Sequence, residues 1–80
     1  MRALKRLSEF RAGDKVVIRE VQDDNPARLR RWSEQGLTPG AMVAIRNYQD
    51  LDDVFEIEVA GSPLRLGSEG LHGIRGEAVV

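Results

Sequence analysis

Between Val54 and Ala60 the chain alternates without a fault: Phe55, Ile57 and Val59 on one side, Glu56 and Glu58 on the other. Successive side chains of a strand point to opposite faces, so this period of two predicts a strand with one face buried and one in water. A half-buried strand needs partners, and four more segments offer them. Lys15–Val21 and Met42–Gln49 are rich in β-branched or apolar residues, Leu64-Arg65-Leu66 alternates briefly, and Ile74–Val79 closes the chain. One segment reads as a full helix, Ala27–Gln35. Asn25 is a good cap for it, Pro26 suits the first helical position because its missing N–H costs nothing there, and Gly36 supplies a left-handed stop. Leu29, Trp32 and Ser33 share one face of this helix, while Arg28, Arg30, Arg31 and Glu34 lie largely outside. Short helical turns are expected around Ser8-Glu9-Phe10 and Ser68–His72, a tight turn at Gly13, and a type II turn at Leu37-Thr38-Pro39-Gly40.

Five short strands with a single helix cannot lie as a flat open sheet without long exposed edges. The expectation is therefore a mainly β fold, a small, partly open SH3-like five-stranded barrel with the one short helix plugging an end. Its core should hold Val16, Ile18, Leu29, Leu37, Val43, Ile45, Phe55, Ile57, Val59, Leu66 and Ile74.

Eighty residues make one domain, 1–80, with no interior linker or repeat. Twelve basic against thirteen acidic residues give a net charge of −1, which argues against direct contact with nucleic acid, since phosphate neutralisation needs a basic excess or stripe. No apolar run approaches the ~20 residues needed to cross a bilayer, and the basic start at Met1 has no apolar stretch behind it to form a signal peptide. A cytoplasmic protein without membrane insertion is expected. One histidine and no cysteine leave little material for a nucleophile, a base and the groups that orient them, so no enzyme is expected.

The block Arg28–Gly40, with Leu29, Trp32, Gly36-Leu37 and Pro39-Gly40, resembles the leucine-spaced, glycine-leucine-x-proline-glycine pattern of FeoA-type domains. The placing of Gly13, Leu64-x-Leu66-Gly67 and Ile74 is similar too, so the resemblance covers nearly the whole chain. Two subgroups share it: free-standing FeoA proteins that assist a ferrous-iron transporter, and the C-terminal domains of DtxR-type metal-dependent repressors. Asp23-Asp24-Asn25-Pro26-Ala27-Arg28-Leu29 looks like the repressors' acidic-x-Pro-x-x-Leu helix entry, and Leu66-Gly67-Ser68-Glu69 is close to their leucine-glycine-x-glutamate pattern. The resemblance implies an accessory regulatory domain of an iron- or manganese-dependent repressor, docked on other domains of the same protein. The alternative it implies is a free-standing adaptor for a ferrous-iron transporter. An excised C-terminal domain and a free-standing cousin both remain open.

In the repressors this domain lends a metal site a glutamate and, three residues on, a second oxygen ligand. By position these fall on Glu20 and Asp23, where the best-known members carry glutamine at the second place. Oxygen donors suit manganese or ferrous iron, to be held in the full-length protein with ligands from another domain; none is expected tightly bound to the domain alone. The competing reading is a solvated acidic loop stabilised at a helix N-terminus. Asp50-Leu51-Asp52-Asp53 lacks the spacing of a calcium loop and reads as a soluble hairpin tip, and His72 reads as a surface residue between glycines. Arg28 and Arg31 are candidates for contact with a phosphate or acidic partner surface, against a plain solvated helix face. Trp32 is a candidate partner anchor if exposed, against a core plug.

Overall fold

The computed structural model describes residues 4–79. The start of the chain, on which the leader argument rests, lies outside them in its first three residues. The described chain forms six strands: β1 (Lys5–Arg6), β2 (Lys15–Val21), β3 (Met42–Gln49), β4 (Val54–Val59), β5 (Ser62–Gly67) and β6 (Ile74–Ala78), with one α-helix, α1 (Pro26–Glu34). Short 3₁₀ turns stand at Leu7–Glu9 and Ser68–Leu71. All pairings are antiparallel, in the order β1-β6-β2-β3-β4-β5. The architecture is the expected SH3-like one, with a sixth strand of two residues that pairs Lys5 with Gly76 and Arg6 with Arg75.

The helix begins and ends as its sequence requires. The Asn25 side chain accepts the Ala27 N–H at 2.9 Å, and Pro26 occupies the first position. At the far end Leu37 N–H reaches the Trp32 carbonyl (2.8 Å) and Gly36 N–H the Ser33 carbonyl (3.1 Å), with Gly36 at φ +82°. This double closure is available only where the residue after the cap accepts a left-handed backbone. Thr38-Pro39-Gly40-Ala41 follows as a turn closed by Ala41 N–H to Thr38 carbonyl (3.0 Å), Gly40 taking φ +93°.

The strand read over Val54–Ala60 ends one residue early, at Val59, and the next begins two residues before Leu64, at Ser62. The β4–β5 connection is the two-residue loop Ala60-Gly61, both at positive φ, so Ser62 and Pro63 belong to a strand and Ala60 to a turn. Such paired positive angles match the twist of the flanking strands, which outweighs the steric preference of Ala60. Pro63 is tolerated because β5 is an edge strand.

The core comprises Leu7, Phe10, Val16, Ile18, Trp32, Leu37, Val43, Ile45, Phe55, Ile57, Val59, Leu71 and Ile74, all buried. Leu29 and Leu66, expected among them, are only partly buried and pack on its rim, and Ser33 is exposed. Leu7, Phe10 and Leu71 enter instead from the two 3₁₀ turns and their flanks, closing the barrel where strands do not reach. Among the described residues no helix is long and apolar enough to cross a membrane.

Candidate functional site

β2 carries a bulge. Its register with β6 runs Val16–Ala78, Val17–Glu77, Ile18–Gly76 and then jumps to Glu20–Arg75, leaving Arg19 as the extra residue. Without the bulge, alternation would set Glu20 on the inner face with Val16 and Ile18. With it, Val21 packs against the core and Glu20 turns to the rim. The chain then bends, fastened by Gln22 N–H to the Gly73 carbonyl (2.8 Å). Glu20, Asp23 and Asp24 consequently share one polar mouth with His72 and the guanidinium-bearing Arg6 and Arg75.

Gly73 permits this closure. A Cβ there would stand 1.9 Å from the Gln22 carbonyl oxygen and 2.9 Å from Trp32 Cη2, so only glycine lets the β2 exit and the tryptophan ring meet.

The two carboxylates are not equivalent. Asp23 Oδ1 accepts the Asn25 N–H at 2.7 Å and Oδ2 accepts from Arg28 at 3.3 Å, so the side chain supports the entry of α1. The Glu20 carboxylate, on a half-buried residue paired through its backbone with Arg75, makes no hydrogen bond or ion pair among the described residues. No group of three or more His, Asp or Glu with metal-site geometry occurs among the described residues. The mouth therefore fits a divalent ion only as a partial oxygen set, Glu20 with Asp23, to which Asp23 would bring Oδ2 by releasing Arg28. His72 is exposed on the same mouth.

Arg28 and Arg31, one turn apart on α1, border a second hollow on the β5 side of the helix. Trp32 stands at its inner wall, only 2% exposed, its Nε1–H donating to the Gly70 carbonyl at 2.8 Å. The ring is a core plug and not an exposed anchor.

The Asp50–Asp53 tip holds a feature that the sequence reading missed. Asp53, at φ +52°, accepts from Tyr48 Oη (2.8 Å) and Ser68 Oγ (2.7 Å), joining the β3–β4 hairpin to the β5 exit. The Ser68 and Tyr48 hydroxyls hold its carboxyl below the usual range, and the same bond to Asp53 pushes the Tyr48 phenol up. The visible signal was the Tyr48–Asp53 spacing across a hairpin tip, but the Ser68 contact is long-range.

The family model of the FeoA domain matches residues 5–78. No curated protein matches the chain significantly. Among solved structures, a FeoA protein from Chlorobium tepidum is 29% identical, with a TM-score of 0.84 over 95% of this chain and 71% of its own. An iron uptake regulatory protein (FeoA) is 20% identical, TM-score 0.86, covering 96% of this chain and 100% of its own. A manganese-dependent transcriptional repressor is 16% identical, TM-score 0.90, over 99% of this chain but 43% of its own. The barrel thus recurs both in small FeoA proteins and as one part of longer repressors.

Proposed function

The chain belongs to the FeoA domain family, and from that premise we propose that it is an accessory regulatory domain of an iron- or manganese-dependent repressor of the DtxR type. It acts by docking on other domains of that protein and by lending oxygen ligands to a metal site. The observation that carries this reading is the Arg19 bulge, which turns Glu20 out of the core and onto the mouth it shares with Asp23. Bulges re-aim side chains in this way at functional positions. The Asp23-Asp24-Asn25-Pro26 helix entry supports the repressor subgroup over the transporter adaptors.

When bound, the metal supplies a positive charge that ties the barrel to the domain holding the remaining ligands. Glu20 would hold it with a carboxylate free of other partners, and Asp23 with Oδ2, which Arg28 would have to release. An ion held in part by this domain and in part by another would favour the arrangement that brings the two together, and with it the operator-binding state that this arrangement accompanies.

A second reading, the free-standing FeoA-type adaptor of a ferrous-iron transporter, is favoured by the commitment of both Asp23 oxygens to the helix entry and by the 29% identity to a FeoA protein. Metal titration of the full-length protein separates the two, wild type against Glu20→Ala plus Asp23→Ala, with stoichiometry and operator affinity as readouts. The repressor reading expects fewer ions bound and weaker metal-dependent operator binding in the double variant. Unchanged values for both would remove these residues from the mechanism.

A further inference from the structure

β3 carries a bulge of its own. Its register with β4 runs Val43–Val59, Ala44–Glu58, Ile45–Ile57 and then jumps to Asn47–Glu56, leaving Arg46 as the extra residue. Without the bulge, alternation from Val43 and Ile45 would turn Tyr48 to the outer face. With it, Tyr48 stands directly opposite Phe55 on the inner side, the two ring centroids 4.4 Å apart. Both rings and Phe10 line a hollow of about 420 Å³, with Asp53 and Ser68 on its wall. We infer that this hollow receives an arginine side chain of a partner protein, the guanidinium lying against Tyr48 and donating to the oxygens around Asp53. The hollow is separate from the mouth of Glu20 and Asp23, and neither reading rests on the other.

The supply of protons decides the chemistry of the occupant. Tyr48 Oη donates its hydrogen to Asp53 Oδ1 (2.8 Å), and Ser68 Oγ donates its own to Oδ2 (2.7 Å). A hydroxyl has one proton, so toward anything that enters, these two oxygens and the carboxylate can only accept. Ser8 and Asn47, also on the hollow, can turn either way. A donor-rich group is matched here, and a carboxylate is not. Charge points the same way. Asp53 is met by hydroxyls and a backbone N–H but by no cation among the described residues, and the charge of Asp50 also reaches the Tyr48 phenol. The Tyr48 ring, 38% exposed, adds the attraction of an aromatic face for a cation. A planar guanidinium stacks on such a face and donates along several directions at once, as an ammonium does not.

Two basic residues stand close by. Arg11 lines the hollow without pairing with Asp53, and Lys5 Nζ lies 5.8 Å from the Phe10 centroid. Arg11 therefore opposes a second cation, which gives the proposal a test of sign. The tip beyond the hollow argues for a side chain carried by a protein rather than a small guanidino compound. Leu51 is 97% exposed between Asp50 and Asp52, and only an occupant larger than the hollow can reach it.

The probe is the capped tripeptide alanine-arginine-alanine, titrated into the isotope-labelled 80-residue chain by NMR. Saturable shifts in the millimolar range are expected at the amides of Tyr48, Asp53 and Ser68. The citrulline counterpart, equal in shape but uncharged, and the glutamate counterpart should bind at least about tenfold more weakly. Tyr48→Leu should weaken binding about two- to fivefold through the lost ring face. Asp50→Asn, an exposed change clear of the Asp53 bonds, should also weaken it, and Arg11→Gln should tighten it. Signals far from the hollow report that each variant keeps its fold. Equal binding of the citrulline peptide, shifts that map elsewhere, no saturable shift, or weaker binding by Arg11→Gln would overturn the proposal. Tighter binding of methylguanidine than of the peptide would overturn the assignment to a partner's side chain.

Discussion

Asp53 combines a left-handed backbone with two hydroxyl donors, and both features have consequences that can be measured. Its lowered pKa means that the folded chain takes up the proton less readily than the unfolded one. The stabilisation is present above the unfolded value of about 3.9 and is lost as pH falls through the folded value. For Tyr48 the shift is upward, so its share is present below the unfolded value of about 10 and is lost as pH rises through the folded one. Asparagine tolerates positive φ and keeps the side-chain shape, so Asp53→Asn isolates the charge. Melting temperatures measured from neutral pH into acid should fall more steeply for wild type than for Asp53→Asn, and parallel acid limbs would contradict the latch. Gly73 is the other single residue on which much rests. Gly73→Ala drives a methyl into the Gln22 carbonyl and should cost about 1–3 kcal/mol or more, read by chemical denaturation; a variant of wild-type stability would show that the β2 exit closes differently.

Among the elements, β4 is the one on which the barrel is built. It pairs with β3 on one side and β5 on the other, and Ile57 is 1% exposed at its centre. Ile57→Ala should cost about 2–5 kcal/mol in equilibrium unfolding, and melting within a degree or two of wild type would remove Ile57 from the core. The bounds of β2 and β3 were legible because β-branched and apolar residues run up to a clear breaker, and those of α1 to within a residue, Pro26–Glu34 against the expected Ala27–Gln35, because Asn25, Pro26 and Gly36 mark its ends chemically. What was not legible depends on partners distant in sequence. β1 is two exposed basic residues whose only strand signal is backbone pairing with Arg75 and Gly76. Ala60 looks like the next strand residue until the twist of the β4–β5 hairpin requires a left-handed pair there. Leu7 and Leu71 sit in short turns with no periodicity, and only the closed barrel shows them to be fully buried.

At the scale of the whole molecule, one tryptophan touches residues of two surfaces. Trp32 bonds the Gly70 carbonyl beside the hollow at Arg28 and Arg31 and lies against Gly73 beside the mouth of Glu20 and Asp23. Sequence could suggest that Glu20 and Asp23 belong together only through family resemblance. The bulge that sets them on one mouth is invisible in the sequence, since Arg19 looks like any exposed strand residue. The presence of Arg28 on Asp23 was equally hidden, being a matter of helix entry geometry. The central claim is that this mouth, and not the other acidic corner at Asp50–Asp53, is where a divalent ion meets the domain. Trace manganese(II) added to the isotope-labelled 80-residue chain tests it, because the paramagnetic ion broadens the amide signals nearest to it. The account predicts that Gln22, Asp23, Asp24 and Gly73 broaden first and that Glu20→Ala plus Asp23→Ala abolishes the effect. Broadening centred on Asp50, Asp52 and Asp53, or left unchanged by the double substitution, would contradict it.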